Sequence, residues 1–289
     1  MDIWTLINPF LRVFLYLSTF GSIGTILFAL HFGKSQSPAG VRYCQSLVKK
    51  SSSLGVVASL CIFLSVAGNM GGDFMSALDM IMLQLAFESK AGLASLITLS
   101  GFVILKITSK SSSQIGLIAS LVGSLLVLSS FIVIGHSTQE GILTQSLLLI
   151  HLVGVAYWLG SLLPFLWMCQ SDGGQSLYII AHRFGVLALG YVGALVISGL
   201  VFAYNLLGGF SALINTTYGN VLLAKLATVS VILSLGALNK FRLVPLLIGN
   251  EVVGAKRLRS SVHFELGLAV LILVFSSLLT TSLTLPMGT

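Results

Sequence analysis

The sequence predicts an all-α integral membrane protein, a bundle of about eight transmembrane helices with both termini on the outer side. Three observations predict it. Of 289 residues, 56% are hydrophobic and only 8% charged, whereas a water-soluble domain carries about 25% charged residues. The mean hydropathy is +1.02. Apolar runs of about 20 residues, each about 30 Å long as a helix, recur from end to end. Runs such as "SLGVVASLCIFLSVAG" are apolar on every side, which excludes the alternating pattern of a membrane β-barrel.

The spans fall at 11–32, 53–69, 88–107, 115–135, 143–169, 182–206, 219–239 and 262–284. Links between them are short, so residues 1–289 read as a single polytopic membrane domain. The opening "MDIWTLINPF" lacks the basic flank and small-residue cleavage site of a signal peptide and reads as a retained lead-in to the first span. After the second span, "DFMSALDMIMLQLAF" is semi-apolar and fits an interfacial helix or an extension of the span.

Basic residues set the orientation. Twelve of the fifteen lysines and arginines fall in the links after odd-numbered spans: Lys34, Arg42, Lys49, Lys50, Lys106, Lys110, Arg183, Lys240, Arg242, Lys256, Arg257 and Arg259. Only Arg12, Lys90 and Lys225 fall on the other side. That places the first set of links in the cytoplasm and both termini outside. The net charge of +7 therefore belongs to cytoplasmic links in contact with the bilayer and gives no reason to expect nucleic-acid binding.

This topology sorts the five histidines. His31, His182 and His263 lie at cytoplasmic ends, and His136 closes the fourth span on the outside. His151 lies about 12 Å down the fifth span, counted from residue 143 at about 1.5 Å per residue. Val155, Trp158 and Leu162 share its face at helical spacing, so the ring looks into the bundle. An ionisable residue inside a span is a functional candidate, and the alternative is a hydrogen bond that ties two helices.

Met70, Met75, Met80 and Met82, four of the seven methionines, sit with Asp73 and Asp79 in the outer link between spans two and three. Thioether sulfur suits Cu(I), and imidazole accepts Cu(I) or Cu(II), so this link beside His136 and His151 suggests copper capture. The plainer reading makes Met80 and Met82 the apolar face of an interfacial helix.

Two further charges are intramembrane, Lys225 two turns into span seven from outside and Glu265 about a turn into span eight from inside. Each costs roughly 2.5–3.5 kcal/mol near a helix centre and less near an end. They start from opposite faces, so a direct pair is not expected; Glu265 could instead meet Arg183, Lys240 or Arg242, and the plain reading of each charge is a structural ion pair or a snorkelling residue. Cys44, Cys61 and Cys169 lie in the inner half or mid-membrane, where no disulfide is expected. The chain has no CxxC, no HExxH and no phosphate-binding glycine loop, so no enzyme activity or ATP use is expected. Gly190, Ala194 and Ser198 give span six a small face for close packing.

The segment from Arg183 to about Leu283 closely resembles the CopD/PcoD copper-resistance membrane domain. The motifs are "RFGVLALGYVGALVISGLV", "TTYGNVLLAKLATVSVILSLGALNKFRLVPLL" and "RLRSSVHFELGLAVLILVF". Tyr218-Gly219, Lys225, Asn239, Phe241-Arg242 and Glu265 carry the resemblance together, and "GHS" at 135–137 and "HLVGVAYWLGSLLP" at 151–164 extend it upstream. Departures are mild: Ser137 and Ser161 stand for Ala and Gly, and Lys240 for Arg. The resemblance implies a protein of the bacterial inner membrane that moves copper from periplasm to cytoplasm, supplied by a periplasmic CopC-like copper carrier.

The combined expectation is copper permeation, with copper as cargo. Met70, Met75, Met80 and Met82 would collect it, His136 would stand at the mouth and His151 would receive it within the bundle. Lys225, Glu265, Arg183, Asn239 and Trp158 would belong to the packing or gating framework. The rivals are a haem-based electron-transfer protein, using two of His31, His182 and His263, and a copper sensor or assembly factor that transports nothing.

Overall fold

The helices start where the sequence supplies caps. Ser37, Asp79, Ser89, Ser113, Thr216 and Asn250 each accept a backbone N–H of the first turn, which satisfies donors a helix leaves free at its N-terminus. The computed structural model describes residues 3–134, 141–171, 175–207 and 210–283. Along them run α1 (Ile3–Phe32), α2 (Pro38–Gly71), α3 (Met80–Glu88), α4 (Lys90–Thr108), α5 (Gln114–Val133), α6 (Ile142–Gly160) and α7 (Leu162–Ser171). Then come α8 (Gln175–Leu207), α9 (Phe210–Asn215), α10 (Thr217–Leu238), a π-helical turn (Asn239–Leu243), α11 (Val244–Gly249) and α12 (Glu251–Thr281).

Among the described residues eight segments are long and apolar enough to cross a membrane: α1, α2, α4, α5, α6 with α7, α8, α10 with α11, and α12. The side bearing the Lys- and Arg-rich links is called the basic side below, and the opposite one the Met side. The second span starts well before the apolar run does, because Ser37 caps and Pro38 opens α2. Arg42, Lys49 and Lys50 consequently lie on helix rather than in a loop. The semi-apolar stretch after α2 is a separate short helix, α3, which packs on α2 and α4.

Two spans are interrupted, and proline explains both. Pro164 has no N–H for the Gly160 carbonyl, and the fifth span breaks between α6 and α7 at Ser161. Pro245 has none for the Phe241 carbonyl, and the chain before it widens into the π turn.

α1 is the most buried span and packs on α2, α6 and α12. Its crossing with α6 is backbone to backbone. A Cβ on Gly24 would lie 2.1 Å from the Ala156 carbonyl oxygen, and one on Gly160 would lie 1.9 Å from that of Phe20. Ser161 Oγ donates to the Gly24 carbonyl across the same crossing at 3.2 Å. Small residues let lipid-embedded helices approach this closely, and dispersion replaces the missing hydrophobic drive.

α8 and α10 are the least buried spans. α8 packs chiefly on α6 and α10 chiefly on α12. Of the small face expected on α8, only Ser198 is used. Gly190 and Ala194 are exposed and a Cβ on Gly190 would meet nothing, whereas Leu195 and Ser198 are buried against α6. The reason lies on α6: Gly154 sets the close approach there, and a Cβ on it would come within 2.7 Å of Leu195.

Candidate functional site

His151 is nine residues into α6, about 13 Å below its Met-side end. Its Nδ1 lies 3.1 Å from the Leu195 carbonyl oxygen on α8. A carbonyl only accepts, so Nδ1 carries the proton, and among the described residues nothing engages the lone pair of Nε2. Gly199, one turn further along α8, makes room for the ring, since a Cβ there would sit 3.0 Å from its Cε1. Lys225 is half-buried at a similar depth on α10, and its charge reaches the imidazole. A histidine whose second nitrogen is oriented by a backbone carbonyl is the usual form of a metal-ligating imidazole.

Two turns further toward the basic side, the same face of α6 presents Trp158, and Leu162 follows on α7. Both line a cavity of about 160 Å³ between α6–α7, α8, α10 and α12. Its walls are mainly apolar, and its polar side chains are Asn239, Lys240 and Glu265. Glu265, 2% exposed, accepts a hydrogen bond from Asn239 Nδ2 at the start of the π turn. The expected basic partners do not reach it. Lys240 rests its ammonium 5.6 Å from the centroid of the Phe241 ring, and neither Arg183 nor Arg242 pairs with the carboxylate. Polar groups thus follow one another along the side of the bundle that holds α8 and α10: His151 and Lys225 on the Met-side half, then Glu265 and Asn239 on the basic-side half.

The methionine link lies apart from this line. Met75 and Met80 are 74% and 79% exposed, Met70 is exposed at the end of α2, and Met82 is half-buried near Gly71. The two aspartates there serve the backbone. Asp73 accepts from Ser76 N at 2.7 Å, and Asp79 from Ile81 N and Met82 N at 2.9 and 3.1 Å. Hydrogen bonds from the Ser76 backbone and side chain hold the Asp73 carboxyl below the usual range. His136, expected at the mouth, lies outside the described residues, as does Ser137. Among the described residues no three of His, Cys, Asp and Glu gather as a metal site.

The basic-side histidines are engaged separately. His31 Nε2 lies 3.0 Å from the Tyr191 hydroxyl, and Tyr191 stacks on Tyr157 with centroids 4.0 Å apart. This joins α1, α6 and α8 beneath His151, with the exposed Arg183 close enough for its charge to act on His31. His182 is exposed beside Tyr178, and His263 is exposed with Nδ1 donating to the Arg259 carbonyl of its own helix. Sequence reasoning missed the Leu195 carbonyl, Gly199 and the His31–Tyr191 bond. Only the last carried a signal, a histidine and a tyrosine both on the basic-side half of their spans.

Comparison with known proteins completes the picture. Residues 1–146 match the family model "Copper resistance protein D-like, N-terminal domain", and residues 179–279 match "Copper resistance protein D". The copper resistance protein D of Pseudomonas syringae pv. tomato is 24% identical over 288 residues, 91% of this chain and 92% of the relative. The inner membrane protein YebZ of Escherichia coli K12 is 31% identical over 165 residues, 51% of this chain. That match spans 53% of YebZ, about half its length. No solved structure matches. The chain is a multi-pass protein of the bacterial inner membrane, and it belongs to the copper resistance protein D family.

Proposed function

We propose that this protein carries copper across the inner membrane from periplasm to cytoplasm and that His151 binds the ion on the way. One observation carries the reading: the imidazole is held by Leu195 through Nδ1 inside the bundle, with Nε2 free to bind a metal. The family supports copper as the cargo. The weight of basic residues supports the direction of insertion, with the basic side in the cytoplasm and both termini in the periplasm.

In this reading Met70, Met75, Met80 and Met82 gather copper at the periplasmic surface from a CopC-like carrier, and His136 stands at the entrance. The cavity below Trp158 continues the route toward the cytoplasm. No chemical conversion of a substrate is involved. Lys225, at a similar depth on α10, puts a positive charge within electrostatic reach of the bound ion, which opposes tight retention and favours onward release. The test is radioactive-copper accumulation by cells lacking their own copy, with wild type and His151→Ala at matched membrane levels. Wild type should raise accumulation and the variant should return it to background. Equal accumulation by both would remove His151 from the path.

A further inference from the structure

A carboxylate taken out of water needs a cation beside it or must give up its charge. Glu265 is buried, and among the described residues its only partner is the neutral amide of Asn239. That amide is itself incomplete, because Asn239 Oδ1 is buried and receives no hydrogen bond. Both residues line the cavity of about 160 Å³, and one water needs only about 10–15 Å³ by the same measure. Asn239 also opens a π turn, a feature that within α-helices often marks a working site.

Two side chains with oxygen acceptors, one of them a carboxylate, therefore line a shared space, and among the described residues neither is supplied with a cation. Lys240, the charged side chain that also lines this space, rests over Phe241. Arg242 follows it on the turn and Arg183 is exposed on α8, and neither lines the cavity. On the elements packed against α12 in this half, the other titratable groups are Cys169 on α7 and His31 on α1, with Glu251, Lys256, Arg257, Arg259 and His263 on α12 itself; among the described residues none bonds Glu265. Carboxylate and amide oxygens suit hard cations while imidazole suits copper, and a single carboxylate balances a single positive charge, so the two stations differ in chemistry as well as depth.

We propose that Glu265 and Asn239 form a site for a second ion, a sodium ion or a proton, bound and released as copper crosses. The inference rests on the copper-transport reading and adds the energy source that the chain's lack of a nucleotide motif leaves open. Sodium and the proton share the chemistry of a small cation that seeks oxygen, and experiment separates them.

Purified protein is placed in lipid vesicles, and copper influx is measured under an imposed sodium gradient, an imposed pH gradient or neither. One gradient should stimulate influx about fivefold or more, the lower end of ordinary coupling between two sites, and it names the ion. Glu265→Gln, which keeps the side chain's size, should abolish the stimulation and leave copper binding at His151 intact. Glu265→Asp should retain part of it. Influx indifferent to both gradients would overturn the proposal while the transport reading stands. Absence of influx in every arm would instead overturn the transport reading. Ion binding is then read from the melting temperature of the purified protein, which should respond to sodium or to pH in wild type and not in Glu265→Gln. A Glu265→Gln protein that responds like wild type would overturn the site.

Discussion

His151 and Leu195 meet across the α6–α8 interface, imidazole Nδ1 to backbone carbonyl oxygen at 3.1 Å. The contact depends on Gly199, where a Cβ would lie 3.0 Å from the ring. Gly199→Ala should push the imidazole off that carbonyl by a few tenths of an ångström. Loss of an orienting partner typically lowers metal affinity about 10–100-fold, and this partial displacement should fall near the lower end. Competition titration of copper into the purified variant measures it. Unchanged affinity would mean that Leu195 does not orient a ligand.

Lys225 acts on the same ring in the opposite sense. Its ammonium lies where its charge is felt at His151, and like charges in a medium of low polarity repel strongly. Lys225→Gln should therefore tighten copper binding, on the order of tenfold, and slow turnover. Affinity and influx measured on one preparation should move in opposite directions. Weaker binding in the variant would show that the lysine positions the ring rather than repelling the ion.

The crossing of α1 with α6 holds the frame. Gly24→Ala places a methyl group 2.1 Å from the Ala156 carbonyl oxygen, which is backbone and cannot rotate away. The helices must separate, at a cost of about 1–3 kcal/mol for overpacking of this kind. The thermal midpoint of the detergent-solubilised protein should fall, and Gly190→Ala, with open space around it, should leave it unchanged.

The methionine link supplies a pH test. Asp73 is fully exposed and accepts the Ser76 N–H, which holds its carboxyl below the usual range. A lowered carboxylate value means stabilisation that is complete above the unfolded value, near 3.9, and is lost as pH falls through the folded one. Protection of the Ser76 amide from hydrogen exchange, corrected for intrinsic rate, should stay constant from pH 8 to about 5 and decline below about 4. Decline near pH 6 would mean that another group holds the turn.

Much of the architecture was legible because the membrane imposes it. Eight apolar runs became eight crossing segments, since lipid forces each spanning backbone to bond within itself. Helix ends were less legible. α2 begins at Pro38, ahead of Arg42, Lys49 and Lys50, and a hydropathy pattern cannot see a helix that continues beyond the bilayer. The face of α8 was misjudged because Gly190 and Ala194 show only what could pack closely, while Gly154 on another helix decides what does.

The site was legible in letters and hidden in partners. His151, Lys225, Asn239 and Glu265 stand out as polar residues in apolar runs. Their pairing did not, because the Leu195 carbonyl has no letter of its own and Asn239 reaches Glu265 only through the π turn ahead of Pro245. Opposite charges suggested arginine or lysine for Glu265, and the bundle supplied an amide.

The most direct test of the central claim is copper influx into vesicles containing only purified protein, compared between wild type and His151→Ala. Wild type should admit copper at a rate proportional to protein, and His151→Ala, folded to the same thermal midpoint, should lose most of that rate. Equal influx through both would contradict a copper path through His151.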